Sequence, residues 1–212
     1  MTNETITVHD GARNLRSLAA RAWGLDEQAV ARMRRVNNNH VDVFFTTPFD
    51  ILASRRVEAE ISRDGAVVPA SVLAELPDVV VENPEEVDLG PACDALWPGA
   101  LPPVDNFAVL ERLPVAVVRK LADDGQNLAR QFSGPMGPPA SLLNQTVISV
   151  ENGPSKVEAP MRMIFACTSL GLIPDVSAPA DIPRHLRVSV CGRWLRIDAP
   201  YGTVYRSSSL LG

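Results

Sequence analysis

The chain has 212 residues, 46% of them hydrophobic and 21% charged, with a formal net charge of −5. This composition can fill a folded core, and it excludes a chain that is disordered throughout. No stretch approaches the ~20 apolar residues that cross a bilayer, and residues 1–10 lack the basic and apolar regions of a signal peptide. We therefore expect a cytoplasmic protein with no membrane partner.

The N-terminal residues predict a pair of helices followed by a sheet. Leu15, Leu18, Ala19 and Ala22 form the apolar stripe of an amphipathic helix. Glycine at position 24 can end that helix, and Asp26 can cap a second one that runs to about Val36. The apolar run 41–46 and the alternating pattern 56–61 then predict two strands of a half-exposed sheet, and Pro69 begins a short helix.

The spacing of Ala20, Gly24, Val30 and Met33 leaves a second interpretation open, because segment 18–37 resembles the helix-turn-helix of bacterial repressors. Acidic residues at positions 26 and 27 would begin the recognition helix, where they repel phosphate. An ordinary pair of packed helices is therefore favoured over a nucleic-acid reader.

The middle of the chain is acidic and rich in proline. Residues 64–111 carry ten acidic side chains and no lysine or arginine, and six prolines lie between Pro77 and Pro103. Prolines at this density interrupt long helices and central strands. We predict an irregular connection over residues 77–105, with a short strand at 79–81. It would divide the chain into an N-terminal region, 1–76, and a C-terminal region, 106–212, which are separate or form one composite domain.

The C-terminal region combines helices with a β-hairpin. One helix is predicted from Pro114 to about residue 132, or to a break at Gly125. Further helices are predicted near 140–144 and over 160–170, with a strand at 146–150. A two-residue loop at Gly192-Arg193 aligns two strands with sorted faces, in the register Cys191–Trp194, Val190–Leu195, Ser189–Arg196, Val188–Ile197 and Arg187–Asp198. A third strand carries Thr203, Val204 and Tyr205. The predicted fold class is α+β, with an N-terminal helix pair, a mixed or antiparallel sheet, central helices and a C-terminal hairpin with a third strand.

The candidate binding residues lie on the predicted polar face of this hairpin. They are the aromatic and basic side chains Trp194, Arg196, Arg187 and Tyr205, with Arg206 near by. Tryptophan, tyrosine and arginine most often anchor protein interfaces. The alternative is that the chain itself covers Trp194 and that the arginines pair with Asp198.

The sequence contains no recognised catalytic or metal-binding pattern. The histidines at positions 9, 40 and 185 are far apart, and none lies in a catalytic motif. The cysteines at positions 93, 167 and 191 have no C-x-x-C spacing, which predicts free thiols. We predict no catalytic residue, no metal and no cofactor.

Three segments resemble uncharacterised conserved proteins of high-GC actinobacteria. They are Trp23-Gly24-Leu25, the run 41–49 and the run 194–202. The resemblance implies no activity and no functional residue. The favoured hypothesis is a non-catalytic binding protein whose partner is another protein or a second copy of the chain. A nucleic-acid-binding regulator that uses residues 18–37 is the alternative, and an enzyme without a sequence motif is the third hypothesis.

Overall fold

The structure is a computed structural model that describes residues 3–77, 84–132, 138–152, 155–175 and 177–208. The chain divides into two compact units, and each is described by itself. Unit 1 is drawn from Met1–Pro48 and Leu52–Val104, and unit 2 from Phe49–Ile51 and Asp105–Gly212. No helix in the described ranges is long and apolar enough to span a membrane.

Unit 1 is a sheet that packs against a long helix. Its elements are β1 (Asn3–Asp10), α1 (Ala12–Leu25), β2 (Val30–Arg35), β3 (His40–Phe45), β4 (Leu52–Ile61), β5 (Val67–Pro69), α2 (Ala70–Ala74), β6 (Val87–Pro91) and a 3₁₀ turn (Asp94–Leu96). The strands run in the order β5–β2–β3–β4, and β1 pairs with both β4 and β6. All of these pairings are antiparallel.

The first helix is confirmed, and its predicted stripe is the buried side. Leu15, Leu18, Ala19 and Ala22 are each at most 2% exposed. The helix follows Gly11, whose φ of 87° is a left-handed conformation that favours glycine. A Cβ at this position would lie 3.1 Å from Cγ1 of Val57 on β4, so a side chain here would crowd the sheet.

The predicted second helix is wrong, because residues 30–35 form strand β2. Asp26 acts in a tight turn instead, where its carboxylate accepts a hydrogen bond from the backbone N–H of Gln28 at 2.9 Å. Val30 and Met33 have helical spacing, but Ala31, Arg32, Met33 and Arg34 also alternate with a period of two. Pairing with β3 on one side and β5 on the other selects the strand.

The acidic middle segment is more ordered than predicted. It supplies β6, which no sequence pattern predicted, and a covering segment (residues 92–104) that lies on one face of the unit 1 sheet. Arg32 on β2 stacks over the Trp97 ring at 5.9 Å, and Arg34 donates a hydrogen bond to the carbonyl of Pro102. The strand expected at 79–81 lies outside the described residues.

Unit 2 combines a C-terminal sheet with a helical layer and a separate hairpin. Its elements are β7 (Ala108–Pro114), α3 (Val115–Phe132), α4 (Ala140–Leu143), β8 (Thr146–Asn152), β9 (Ser155–Pro160), α5 (Met161–Ser169), β10 (His185–Cys191), β11 (Trp194–Ala199) and β12 (Gly202–Ser207). The C-terminal sheet has the antiparallel order β12–β11–β10–β7, and β8 pairs with β9.

The C-terminal hairpin has the predicted register. Cys191 faces Trp194, and the pairing continues to Arg187 opposite Asp198. The loop contains Gly192 with a φ of 53°, a conformation that suits glycine at the first position of a hairpin turn. The third strand, β12, pairs with β11.

Helices α3 and α5 approach each other closely at Gly125. A Cβ on this residue would lie 2.8 Å from Sδ and Cε of Met161 and 3.0 Å from the Phe165 ring. Glycine inside a helix costs roughly 1 kcal/mol relative to alanine. Gly125 therefore lowers the helix propensity of α3, but its missing side chain lets α3 and α5 pack closer together.

Candidate functional site

The predicted interface on the C-terminal hairpin is not an exposed aromatic surface. Trp194 and Tyr205 are both buried, at 8% exposure each, whereas Arg187 is exposed and Arg196 is half-buried. Arg206 lies on the opposite face from Tyr205, because successive side chains of a strand alternate. The binding roles of the four residues stay predictions, but the exposed aromatic face that motivated them does not exist in this fold.

The polar face of the hairpin instead forms a network within the chain, which we call the Asp198 cluster (Arg187, Arg196, Asp198 and Thr203). The Asp198 carboxylate lies 3.1 Å from a guanidinium nitrogen of Arg196 and 3.6 Å from one of Arg187, and it accepts a hydrogen bond from the Thr203 hydroxyl at 3.0 Å. The Arg196 guanidinium stacks over Phe107 at 4.2 Å. This network is the alternative that the sequence left open for the arginines.

Unit 1 contains a second network of this kind, the Asp42 cluster (Arg34, Asp42 and Arg56). The Asp42 carboxylate accepts hydrogen bonds from Nε and an Nη atom of Arg56 at 2.7 and 3.0 Å, and from Arg34 at 3.2 Å. The Asp42 side chain is only 6% exposed. These arginines are held by their own sheet and are poorly placed to bind a partner.

The exposed face of α1 is the most basic helical surface among the described residues. The helix carries three arginines and no acidic residue. Arg13 and Arg21 are exposed beside small or polar residues, namely Asn14, Ser17, Ala20 and Gly24. The exposed apolar side chains of Trp23 and Leu25 lie at the C-terminal end of the helix. Short neighbours let a helix surface come close to an extended anion, and exposed arginines can then bind phosphate groups.

Helix α3 lacks a comparable basic face. Lys120 pairs with Asp124 at 2.7 Å, one turn away. Arg119 turns towards the loop after α5, where it donates to the carbonyls of Ile173 and Pro174 and lies 3.2 Å from Asp175. The positive charge of α3 is therefore largely engaged within unit 2.

Strand β7 is the edge of the C-terminal sheet. In the described ranges it pairs with β10 only, and a bulge interrupts the register opposite Val188 and Ser189. Val109 on this strand is 50% exposed, although it is apolar. A strand with one unpaired side presents N–H and C=O groups to which another strand can bind. No sequence pattern predicted β7, because the strand lies between an acidic segment and a helix that was expected to begin at Pro114 and begins at Val115.

The described residues do not assemble a metal centre. No group of three or more His, Cys, Asp or Glu side chains in these ranges could hold a metal ion. Cys93, Cys167 and Cys191 are free thiols. Burial raises the pKa of the Cys167 thiol to about 12, which keeps it protonated and unreactive at neutral pH.

Family models match both halves of the chain. Residues 102–211 match the domain of unknown function DUF8185, and residues 1–99 match the domain of unknown function DUF8010. No curated protein matches the chain. The actinobacterial part of the resemblance stays a prediction.

The fold is similar to that of DNA polymerase sliding clamps. The clamp of Bacillus subtilis matches with a TM-score of 0.56 and 10% identity over 97% of this chain and 64% of the clamp chain. A clamp of Caulobacter crescentus gives 0.57 and 10% over 97% and 65%. The DnaN clamp of Bartonella birtlesii, solved bound to griselimycin, gives 0.56 and 14% over 96% and 64%. The chain thus spans slightly less than two thirds of the clamps that it matches.

These matches correct the functional hypotheses. The hypothesis of an interaction protein that works through the hairpin face is wrong, because the chain has a clamp-like fold and the aromatic side chains of the hairpin are buried. The hypothesis of a helix-turn-helix regulator is also wrong, since strand β2 takes the place of the second helix. The matches do not support the motif-less enzyme either.

Proposed function

The chain belongs to the DUF8185 family and shares the fold of DNA polymerase sliding clamps, and from this premise we propose that it is a clamp-like protein that assembles from several copies around DNA. The observation that carries the proposal is the extent of the fold match, which covers 96–97% of this chain. A match of that extent involves both units and not a single shared motif.

The basic face of α1 supports contact with DNA. Arg13 and Arg21 are exposed, and α1 itself carries no acidic residue. Contacts between arginine and phosphate position a protein on a duplex without reading its sequence. Such contacts suit a protein that holds DNA and moves along it. The proposal replaces the expectation, drawn from the acidic residues at positions 26 and 27, that nucleic acid is a disfavoured partner.

The edge strand β7 supports assembly from copies of the chain. Its outer side is unpaired in the described residues, and Val109 adds an exposed apolar side chain. One chain spans 64–65% of a clamp chain, so an assembly of comparable size needs additional copies. A strand from a second copy can pair with β7 and extend the sheet.

The test of assembly is sedimentation velocity over a range of protein concentrations. We expect a mass that is a multiple of 22.9 kDa. Val109→Lys should shift the distribution towards the single chain, because a charge on an edge strand opposes pairing. Val117→Lys is the matched control, since Val117 is a similarly exposed valine on α3. A single chain at all concentrations would contradict the assembly.

The test of the clamp function is topological. The protein is bound to a circular plasmid on beads at low salt and washed at high salt, and the plasmid is then cut once. A closed assembly should stay on the circle through the wash and leave after the cut. Arg13→Glu with Arg21→Glu should lower the initial capture, because like charges repel phosphate, whereas Arg130→Glu on the exposed side of α3 should not. Equal loss from cut and uncut plasmid would overturn the proposal.

A further inference from the structure

Trp23, in the last turn of α1, is an exposed tryptophan without a partner in the described residues. It is 42% exposed. The other two tryptophans are engaged within the chain, because Trp194 is 8% exposed and the guanidinium of Arg32 lies over the Trp97 ring at 5.9 Å. In the described residues, Trp23 makes no comparable contact with a ring or a cation. A large apolar side chain that stays in water is typical of a binding surface.

The Trp23 ring lies at one side of the basic face of α1, and an arginine lies at the other. With about 3.6 residues per turn, Ala20 and Gly24 follow each other along the middle of this exposed face. Trp23 lies on one flank of that line, and Arg21 lies on the other. A Cβ on Gly24 would have no heavy atom within 4 Å. The surface between the ring and the arginine is therefore low and open to a flat group.

The charge of α1 favours a nucleic acid over an apolar peptide at this position. The helix carries three arginines and no acidic residue. Two acidic residues, Asp26 and Glu27, follow the helix, and the Asp26 carboxylate is turned into its own loop, where it accepts the N–H of Gln28 at 2.9 Å. Phosphate is therefore favoured on the side of Arg21, whereas the neutral ring of Trp23 suits the base of the same nucleotide.

Stacking on Trp23 requires a base with a free face. In a continuous duplex both faces of each base are covered by its neighbours, so the helix contacts phosphates there. An unpaired base can lie on an aromatic ring, and such stacking tolerates any sequence because every base has a π face. We propose that Trp23 and Arg21 bind one unpaired nucleotide of a DNA strand, with the ring on the base and the guanidinium on its phosphate. The inference rests on the proposed contact between α1 and DNA, and it adds a preference for gaps over continuous duplex.

The experiment compares two labelled duplexes of equal length by fluorescence anisotropy at one salt concentration. One is continuous, and the other has a short central gap in which one strand is unpaired. The parent chain should bind the gapped duplex about fivefold or more tightly, the preference that the stacking of one base provides. The gapped duplex carries fewer phosphates, so charge alone cannot produce this order of affinities.

The variants assign the preference to the ring. Trp23→Ala should remove it and leave the affinity for continuous duplex unchanged. Leu25→Ala is the matched control, because Leu25 is an apolar side chain of the same turn, 37% exposed, that cannot stack on a base. This control should keep the full preference for the gapped duplex.

Tryptophan fluorescence gives a second measurement. Trp23→Phe keeps an aromatic ring, so it should retain the preference, but it should lose the quenching of tryptophan emission that a stacked base causes in the parent chain. Circular dichroism and the thermal midpoint check that each variant is folded. If Trp23→Ala does not fold, the difference in quenching between the parent chain and Trp23→Phe decides, and equal quenching would refute the stacking.

The outcomes separate this inference from the proposed function. Equal binding of the two duplexes by the parent chain would overturn the inference and leave the contact of α1 with DNA in place. A preference that persists in a folded Trp23→Ala variant would also overturn it. A chain that binds neither duplex would contradict both proposals, whereas a preference for gaps without retention on circular plasmid would contradict the clamp alone.

Discussion

The Asp42 cluster in unit 1 and the Asp198 cluster in unit 2 have the same arrangement of charges but differ in burial and in contact distances. Each places a carboxylate between two arginines on the polar face of an antiparallel sheet. Asp42 is 6% exposed and accepts three hydrogen bonds from guanidinium groups at 2.7 to 3.2 Å. Asp198 is 16% exposed, and its arginine contacts are 3.1 and 3.6 Å long.

The difference follows from what covers each cluster. The covering segment lies on the unit 1 cluster, where the carbonyl of Pro102 accepts a hydrogen bond from Arg34. Each cluster keeps one half-exposed arginine, Arg56 at 51% and Arg187 at 48%, so the difference in burial lies at the carboxylates. A charge that loses water needs a complete set of partners. Asp42 has such a set, whereas the buried Oδ2 atom of Asp198 has only the two longer ion-pair contacts and no hydrogen bond.

The largest expected effect is at Asp42. Asp42→Ala leaves the guanidinium of Arg34, at 14% exposure, without its carboxylate. Breaking a buried ion pair by removing one partner costs about 3 to 5 kcal/mol. Urea unfolding measures the loss. Asp42→Leu combined with Arg34→Met should recover most of it, because an apolar pair of similar volume often replaces a buried ion pair without cost. A double variant as unstable as the single one would contradict this explanation.

The matching change in unit 2 should cost less. Asp198→Ala removes an acceptor for Arg196 and Thr203, but Arg196 keeps its stacking on Phe107 and part of its hydration. We expect a loss of about 1 to 3 kcal/mol, the range for hydrogen bonds to a charged group. The same urea series gives the comparison. Equal losses for the two aspartates would show that the cover over Asp42 does not matter.

The exposed arginine of the Asp198 cluster should matter still less. Arg187→Met removes an ion pair of 3.6 Å from a side chain that is half exposed. Such pairs contribute less than about 1 kcal/mol. Arg34→Met, at a buried position of the other cluster, is the comparison variant and should be clearly more destabilising. A large loss for Arg187→Met would mean that the unit 2 cluster is drier than its exposure indicates.

The smallest effect concerns acid stability at the attachment of the covering segment. Hydrogen bonding to Arg63 lowers the pKa of Asp94. A carboxyl whose pKa is lower in the folded chain stabilises the fold above its ordinary value of about 3.9, and this contribution is lost as the pH falls through the folded value. Asp94→Asn should therefore flatten the fall of the unfolding midpoint below pH ~4. If the unfolding midpoint of Asp94→Asn falls with pH as steeply as that of the parent chain, groups other than Asp94 cause the acid sensitivity.

Local patterns were sufficient for the C-terminal hairpin. Its register depends on a glycine turn and on the sorting of two faces over five residue pairs, and both are visible in residues 187–198. The apolar stripe of α1 was visible for the same reason. The structure of both segments could therefore be predicted without knowledge of the residues that pack against them.

Long-range packing decided the features that sequence reasoning missed. Residues 30–35 fit both helix and strand periods, and pairing with β3 and β5 selected the strand. Tyr205 is covered by Phe107, almost a hundred positions earlier in the chain, with ring centroids 6.1 Å apart. The basic side of α1 was already present in the sequence as arginines off the apolar stripe. A role for these arginines became apparent only from the fold, which short motifs did not reveal.

Because Gly125 has no side chain, the distance between α3 and α5 can be changed by substitution at this position. Since a Cβ there would lie 2.8 Å from Met161, substitution by alanine, serine and valine would insert wedges of increasing size between two helices while leaving surface charge unchanged. Such a series acts as a mechanical probe of unit 2. It can reveal whether the two units unfold in one step or in two, because a wedge inside unit 2 should move only the transitions in which that unit takes part.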